Sequence, residues 1–135
     1  MPRSSRGATP KPTFQDAQIM LQIAQLAAAN GVSDAMNWLW SDDFIPDYGE
    51  FIKEHPHGSE GYGKARLVAV HYETIGTLWK NKLISEDLLF DWLSVTGVWE
   101  RLRSLVLAER KAFGIAALGE NFQKMARAQT RRMSS

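Results

Sequence analysis

The stretch VHYETIGTLWKNK, residues 70–82, places a histidine, a tyrosine and a glutamate in an otherwise apolar run. On a helical wheel, with about 100° between successive residues, the region 65–82 has one apolar stripe, formed by Val68, Tyr72, Ile75 and Trp79. Small and further apolar residues beside the stripe widen it. An apolar arc of this breadth is typical of a central helix that several neighbours cover. The stretch therefore predicts the core helix of an α-helical domain, and not a reaction centre.

Two polar residues of this stretch, His71 and Glu73, lie on opposite sides of the predicted helix. They are two positions apart, and their side chains point about 160° away from each other, so they cannot form an acid–base pair. His71 lies at the edge of the apolar arc. We expect a histidine at the margin of the core with one ring nitrogen hydrogen-bonded.

Helix start and stop signals divide the rest of the chain. Thr13 and Asp16 have the spacing of a capping box, and Ser85 precedes two acidic residues, which favours a second helix start. No segment alternates apolar and polar residues between hairpin turns. We therefore predict an all-α, compact bundle of about six helices with no sheet. Its details include a loop at 55–63, a helix from about 64 to 82, an interruption at Thr96-Gly97 and a helix at 98–112.

The length of 135 residues allows one sizeable core and is too short for two comfortable domains. We expect a disordered basic tail at 1–12, a single helical domain at 13–128 and a frayed basic tail at 129–135. The chain has no cysteine, which excludes disulfides, thiolate nucleophiles and zinc sites of the cysteine type. No apolar run approaches the roughly 20 residues of a membrane span, and no signal-peptide pattern is present, so we expect a cytoplasmic protein.

The net charge of +1 hides an uneven distribution. Residues 1–13 carry +3 and residues 124–135 carry +4, which leaves −6 for the region between them. A nucleic-acid-binding domain is expected to carry its positive charge on the folded face, so this distribution argues against a nucleic-acid partner. Solvated basic tails are the simpler interpretation.

The polar segments of the chain fit no catalytic or cofactor motif. The acidic segment 42–57 has neither the spacing of an EF-hand loop nor that of a His-x-x-x-His zinc pair. The segment GSEGYGK at 58–64 does not fit a phosphate loop, and there is no Gly-x-Ser-x-Gly motif. The sequence therefore predicts no catalytic residue, no metal site and no cofactor, and it gives no support for an enzyme.

A group of polar residues lies on or beside the predicted core faces. Glu109 falls inside the apolar arc of the helix at 98–112, where a carboxylate needs a partner. Arginine suits such a place because its guanidinium binds a carboxylate through two bonds and stacks on tryptophan. The candidate residues for a ligand site or a structural polar network are Glu73, Trp99, Arg103, Glu109 and Arg110.

Two interpretations of this group stay open. The first, which we favour, is a structural ion-pair network between helices. In that network Glu73 pairs with Arg103 or Arg110, and Glu109 needs another donor such as Arg66. The second interpretation is a polar pocket, lined by Arg103 and Arg110, that binds a small anionic ligand.

Three tryptophans indicate a surface for a protein partner. Trp38, Trp40 and Trp92 lie on amphipathic segments, and tryptophan is enriched among the residues that dominate binding energy at interfaces. The first hypothesis for function is therefore a protein interaction module. It either pairs with itself, as a homodimer, or docks another protein.

A resemblance to an uncharacterised bacterial family of small helical domains of unknown function rests on three segments: VHYETIGTLWKNKLISEDLLFDWL at 70–93, VWERLRSLVLAER at 98–110 and LGENFQKMA at 118–126. WLWSDDF at 38–44 resembles the first half of the family, and the resemblance covers about residues 33–128. It implies a helical fold and supplies no activity. Many members carry a membrane helix ahead of this domain, and this chain departs from that pattern. The positions that match the family's pattern are Tyr72, Glu73, Gly76, Trp99, Arg110, Asn121 and Phe122.

Overall fold

Seven helices make up the part of the chain that the computed structural model describes, residues 10–134. No strand occurs within these residues, so the prediction of an all-α bundle of about six helices is confirmed. Most of the tail predicted at 1–12 lies outside the described residues. In chain order the helices are α1 (Phe14–Ala29), α2 (Val32–Leu39), α3 (Tyr48–Glu54), α4 (Glu60–Lys80), α5 (Glu86–Trp92), α6 (Val95–Phe113) and α7 (Glu120–Met133).

The core lies around α4, which packs against α2, α6 and α7. The apolar stripe predicted on this helix is buried at Val68, Tyr72 and Ile75. Trp79, at the end of the stripe, is only half-buried, and its ring nitrogen donates a hydrogen bond to Glu86 at 2.8 Å. The central position of α4 follows from its broad apolar arc, because neighbours must cover more than one side of it.

Side-chain caps set the starts of α1, α3, α4 and α5. The predicted capping box at the start of α1 is confirmed, since Thr13 accepts from the Asp16 amide and Asp16 accepts from the Thr13 amide. Ser85 caps α5, as predicted. Ser59 caps α4, which therefore begins at Glu60 and not near residue 64.

The loop predicted at 55–63 is shorter than expected because two of its glycines belong to the first turn of α4. A Cβ atom at Gly61 would stand 2.3 Å from Nδ1 of His55. This glycine therefore makes room for an imidazole ring and is not a break in the helix. In a sequence pattern, a glycine usually marks a turn or the end of a helix. Here Gly61 is required instead by its tertiary contact with His55.

The interruption predicted at Thr96-Gly97 is wrong, because α6 begins at Val95 and runs through both residues. The Thr96 amide donates to the side-chain oxygen of Gln129 at 2.9 Å, so α7 satisfies one of the free amides of this first turn. A Cβ atom at Gly97 would meet Oγ of Ser94 at 3.0 Å and the ring of Trp40 at 3.5 Å. The glycine leaves space for the Ser94 hydroxyl at this helix start, whereas the distance to the Trp40 ring is that of an ordinary van der Waals contact.

The last helix continues beyond the predicted domain boundary at 128. Gln129 is buried, and its side-chain nitrogen donates to the Leu93 carbonyl at 2.7 Å. Residues 130–134 are exposed, and α7 ends at Met133. A glutamine in a basic segment carries no apolar signal, so its contacts with the α5–α6 connection were not visible in the sequence.

The first turn of α7 lies directly against α4 at Gly76. A Cβ atom at this position would stand 2.7 Å from the backbone carbon of Asn121 and 2.9 Å from the Phe122 nitrogen. Backbone atoms cannot rotate away as a side chain can, so any larger residue at Gly76 has to displace α7.

We expect Gly76→Ala to lower the free energy of unfolding by about 1–3 kcal/mol, because α7 must move away from α4. The matched control is Gly63→Ala, on the same helix, where an added Cβ meets nothing within 4 Å. That control is expected to gain about 0.5–1 kcal/mol from better helix propensity. Urea unfolding of both variants checks this. Equal effects of the two substitutions would contradict the close packing at Gly76.

Candidate functional site

A pocket of about 150 Å³ between α4, α6 and α7 contains both predicted core carboxylates, Glu73 and Glu109. Arg66 and Glu73 lie seven positions apart on α4, so they share one helix face. Glu109 comes from α6, and Gly119 belongs to the turn before α7. The structure thus brings together two of the five candidate residues of the polar network.

Glu109 is held by two donors from α4. Its side chain is 5% exposed, and it accepts from the Tyr62 hydroxyl at 2.5 Å and from Nη1 of Arg66 at 3.0 Å. A buried carboxylate is costly unless it is paired and hydrogen-bonded. The expectation that Glu109 uses Arg66 is confirmed, and the pair connects α6 to α4.

Tyr62 belongs to this cluster although its sequence context pointed to a loop. Burial raises the pKa of Tyr62 well above its usual value, and the hydrogen bond to Glu109 raises that pKa further. The phenol therefore keeps its proton at neutral pH and acts as a donor. Tyr62 and Arg66 both donate to Glu109, so this arrangement is suited to holding α4 and α6 in position.

Glu73 caps α7 from a different helix. The N-cap residue of α7 is Gly119, which has no side chain to accept a hydrogen bond. Glu73 supplies the missing acceptor, because its Oε1 atom accepts from the Phe122 amide at 2.8 Å. A carboxylate at a helix start also interacts favourably with the helix dipole. The predicted pairing of Glu73 with Arg103 or Arg110 is therefore wrong.

Arg110 and Arg103 have separate surroundings. Arg110 donates to the Leu118 carbonyl at 2.6 Å and to the side-chain oxygen of Gln123 at 2.9 Å, which fixes the turn between α6 and α7. Arg103 is exposed and lines a groove of about 430 Å³ together with Glu100 and other residues. Arg110 is not part of that lining, so the two arginines do not share one pocket.

Trp99 is buried and contacts the ring of Phe122. The two ring centroids are 5.1 Å apart in an edge-to-face arrangement, and the Tyr72 ring lies 5.3 Å from Phe122 on another side. Asn121 donates from its side chain to Oγ1 of Thr77 at 3.3 Å. The aromatic contacts stabilise the start of α7 against α4 and α6, which is a packing role for Trp99.

The three tryptophans predicted to bind a partner differ in exposure. Trp38 is half-buried in a ring cluster, with Phe44 at 5.5 Å and His55 at 5.3 Å. Trp40 is 52% exposed, and the guanidinium of Arg101 lies 5.2 Å from the centre of its ring. Trp92 is also exposed. Trp40 and Trp92 therefore have the accessibility that a binding role requires, whereas Trp38 mainly packs inside the domain.

The acidic segment forms a small helix with its own internal contacts. Asp47 caps α3 by accepting from the Glu50 amide at 3.1 Å. His55 lies within 3.3 Å of the Asp43 carbonyl oxygen, and the His57 ring is 4.5 Å from that of Tyr62. Within residues 10–134, no three acidic or histidine side chains are grouped so as to hold a metal ion.

Comparison with known proteins gives one match. Residues 12–129 match the family described as a domain of unknown function, DUF4760. The chain belongs to this family. The resemblance to an uncharacterised family of helical domains is thereby confirmed. No curated protein and no solved structure matches the chain.

The residues that carried the family resemblance meet at one place in this DUF4760 domain, the start of α7. Glu73 caps this start, Gly76 gives its backbone room, and Arg110 fixes the turn before it. Tyr72 and Trp99 contact Phe122 in its first turn. In this chain these residues thus form a helix junction. Among the described residues no helix is long and apolar enough to cross a membrane.

His71 stands at the margin of the core, as predicted, but without the expected hydrogen bond. Its ring is half-buried and lies 5.9 Å from the Tyr72 ring, and no residue between 10 and 134 forms a hydrogen bond with it. Burial lowers the pKa of His71. The His71 ring therefore binds a proton less tightly in the native state than in the unfolded chain.

For this reason we expect acid to destabilise the native state through His71. Stability contributed by the neutral ring is present above about pH 6.5, the usual histidine pKa, and declines below it until the native-state pKa is passed. His71→Gln should flatten the pH dependence of the free energy of unfolding in that window. Urea unfolding at several pH values measures how the free energy of unfolding changes with pH in the wild type and in His71→Gln. The same slope in both proteins would rule out the contribution of His71.

The cap from Glu73 leads to a second test in this site. We expect Glu73→Ala to lower the free energy of unfolding by about 1–2 kcal/mol, because the Phe122 amide loses its acceptor. Glu73→Gln keeps an acceptor oxygen and should lose clearly less. Glu100→Ala, at an exposed position on α6, serves as the control and should change stability by less than about 0.5 kcal/mol. Equal losses for the alanine and glutamine variants of Glu73 would contradict a capping role.

Proposed function

We propose that this domain is a protein interaction module that pairs with a second copy of itself through the outer face of α1. The composition of this helix carries the proposal. Asp16 is its one charged residue, and Ile23 is its one buried residue. The exposed residues of α1 are Phe14, Gln15, Gln18, Leu21, Gln22, Ala24, Gln25, Leu26, Ala28 and Ala29.

This face differs from the usual outer face of a surface helix, which carries charged residues. Phe14 is 91% exposed, Leu21 is 57% exposed and Leu26 is 47% exposed. Large apolar side chains that lie close together on a surface mark interaction sites, and the cores of protein interfaces are depleted in charge. Phe14 and Leu21 lie seven positions apart and therefore share the outer face of α1, and Asp16 is the one charged residue of this helix.

A second copy is the partner that suits the chemistry of this face. A glutamine side chain both donates and accepts hydrogen bonds. Two α1 helices related by a twofold axis can therefore pair their glutamines with each other while their leucines and alanines pack. A charged partner surface would find Asp16 as the one charged residue of α1.

The size of the surface is compatible with a dimer. A helix of 16 residues is about 24 Å long. Leu83, in the turn after α4, is exposed and lines a groove of about 670 Å³ next to Leu21, so it extends the apolar surface sideways. Stable interfaces bury roughly 800 Å² on each partner, so the proposed dimer contact includes the length of α1 together with Leu83.

The tryptophans have a smaller part in this proposal. Trp40 and Trp92 are exposed and stay candidates for contacts with a partner, but each is a single apolar side chain at the end of a helix. We propose no separate ligand function for Arg103 and Arg110, because Arg110 is engaged with Leu118 and Gln123 and does not line the groove of Arg103.

Sedimentation velocity in the micromolar range tests the dimer. We expect the wild-type chain to sediment as a dimer and Leu21→Glu to sediment as a monomer, because a charge in the middle of the apolar face is buried without a partner on pairing. The matched control is Leu107→Glu on α6, where the leucine is 39% exposed. This control should remain dimeric. A wild-type monomer at every concentration would exclude self-association, and loss of the dimer in the Leu107 variant would move the interface away from α1.

A further inference from the structure

We infer that a groove at the end of α4 binds a small molecule that carries a phosphate group on an aromatic or apolar body. The groove has a volume of about 690 Å³ and lies between the start of α1, the end of α4 and the start of α5. Sites for small molecules occupy roughly 300–1,000 Å³. The inference goes beyond the proposed function, which concerns the outer face of α1.

Four lysines from separate parts of the chain surround this groove: Lys11 before α1, Lys80 at the end of α4, Lys82 in the following turn and Lys124 on α7. None of the four forms an ion pair with any residue between 10 and 134. Positive charges that converge on one concave surface raise the local concentration of anions. Lysine is a common phosphate ligand because its ammonium group acts as a compact charge.

The two carboxylates of the groove are engaged with other donors. Asp16 accepts from the backbone amides of Thr13 and Ser85, each at 2.8 Å. These backbone hydrogen bonds lower the pKa of Asp16 against the opposing effect of burial. Glu86 accepts from Trp79 at 2.8 Å and from Arg132 at 3.2 Å. Neither carboxylate is directed at a lysine, so the groove keeps a positive character.

The backbone at Lys82 gives an independent indication. Lys82 has a φ of 60°, and it is the one residue other than glycine with a positive φ in the described part of the chain. Its amide bonds to the Trp79 carbonyl, and the Leu83 amide bonds to the Leu78 carbonyl, which is the hydrogen-bond pattern of a Schellman helix end.

Glycine is the residue that fits this helix end without strain. The corresponding left-handed position after α6 is occupied by Gly114, with a φ of 66°. Left-handed backbone in other residues is strained, and such strain concentrates at functional positions. We infer that Lys82 is present at this strained position because its side chain has a function. This side chain lines the groove.

Trp79 and Ile84 provide the apolar part of the groove. The hydrogen bond from the Trp79 ring nitrogen to Glu86 fixes the orientation of the indole. A fixed aromatic ring favours stacking with a flat apolar group. The lysines then select the phosphate end of the ligand, and Trp79 selects its body.

Isothermal titration calorimetry with three probes tests this division. We expect 1-naphthyl phosphate to bind to one site per chain, and inorganic phosphate and 1-naphthol each to bind at least tenfold more weakly, because each lacks one half of the ligand. The Ala28→Glu variant, at an exposed position of α1 that lines neither groove, should sediment as a monomer and should bind 1-naphthyl phosphate as the wild type does, so the result does not depend on the dimer.

Substitutions of Lys82 separate the ligand role from the fold. Lys82→Gly should raise the melting temperature, because glycine relieves the backbone strain, and should weaken binding of 1-naphthyl phosphate at least tenfold. Lys82→Gln removes the charge and keeps the strained backbone, and it should weaken binding to a similar degree. Lys53→Gln, at an exposed lysine on α3, should leave the affinity unchanged.

Cosedimentation with vesicles identifies the source of the phosphate. Binding to phosphatidic acid vesicles that is lost in Lys82→Gly would assign the phosphate to a lipid head group, and binding of the soluble probe alone would assign it to a free metabolite. No saturable binding of 1-naphthyl phosphate to the wild type would overturn the inference. An affinity that Lys82→Gly leaves unchanged, or that Lys53→Gln lowers equally, would overturn it as well.

Discussion

The hydrogen bond from the Phe122 amide to Glu73 joins the last helix to the central one. The N-cap residue of α7 is Gly119, which has no side chain to cap the helix, so the carboxylate from α4 stabilises its first turn instead. At the same place α7 comes close to α4, because Gly76 allows the two backbones to approach closely. With α7 in place, Gln129 reaches the connection between α5 and α6. The cap from Glu73 thus connects α4 to α7, and the contacts of Gln129 extend this connection to α5 and α6.

Local signals in the sequence predicted much of the fold. The capping box of Thr13 and Asp16 lies within one helical turn, and its geometry needs nothing from the rest of the chain. The prediction failed at two glycines that interrupt no helix. Gly61 makes space for the imidazole ring of His55, and Gly97 makes space for the Ser94 hydroxyl. A sequence pattern does not separate a glycine that ends a helix from one that makes room for a side chain, because that contact exists only in the folded structure.

The candidate site was predictable in part for a related reason. The helical wheel placed Glu109 inside an apolar arc, and burial of a charge demands a donor, so Arg66 could be named. The partner of Glu73 could not be named, because it is a backbone amide and every residue offers one. Arg110 likewise binds the Leu118 carbonyl. A search that pairs charged side chains only with each other overlooks the backbone as the more frequent partner.

The shallow attachment of α1 affects how the native state opens. With one buried residue, this helix can separate from the rest at a free-energy cost well below that of global unfolding. Its amide protons then exchange with solvent early, while those of α4 exchange only when the whole domain unfolds. If two copies pair through α1, this helix can open only after the dimer dissociates, so association adds to its protection. The protein would then be a rigid core with one segment whose order depends on protomer concentration.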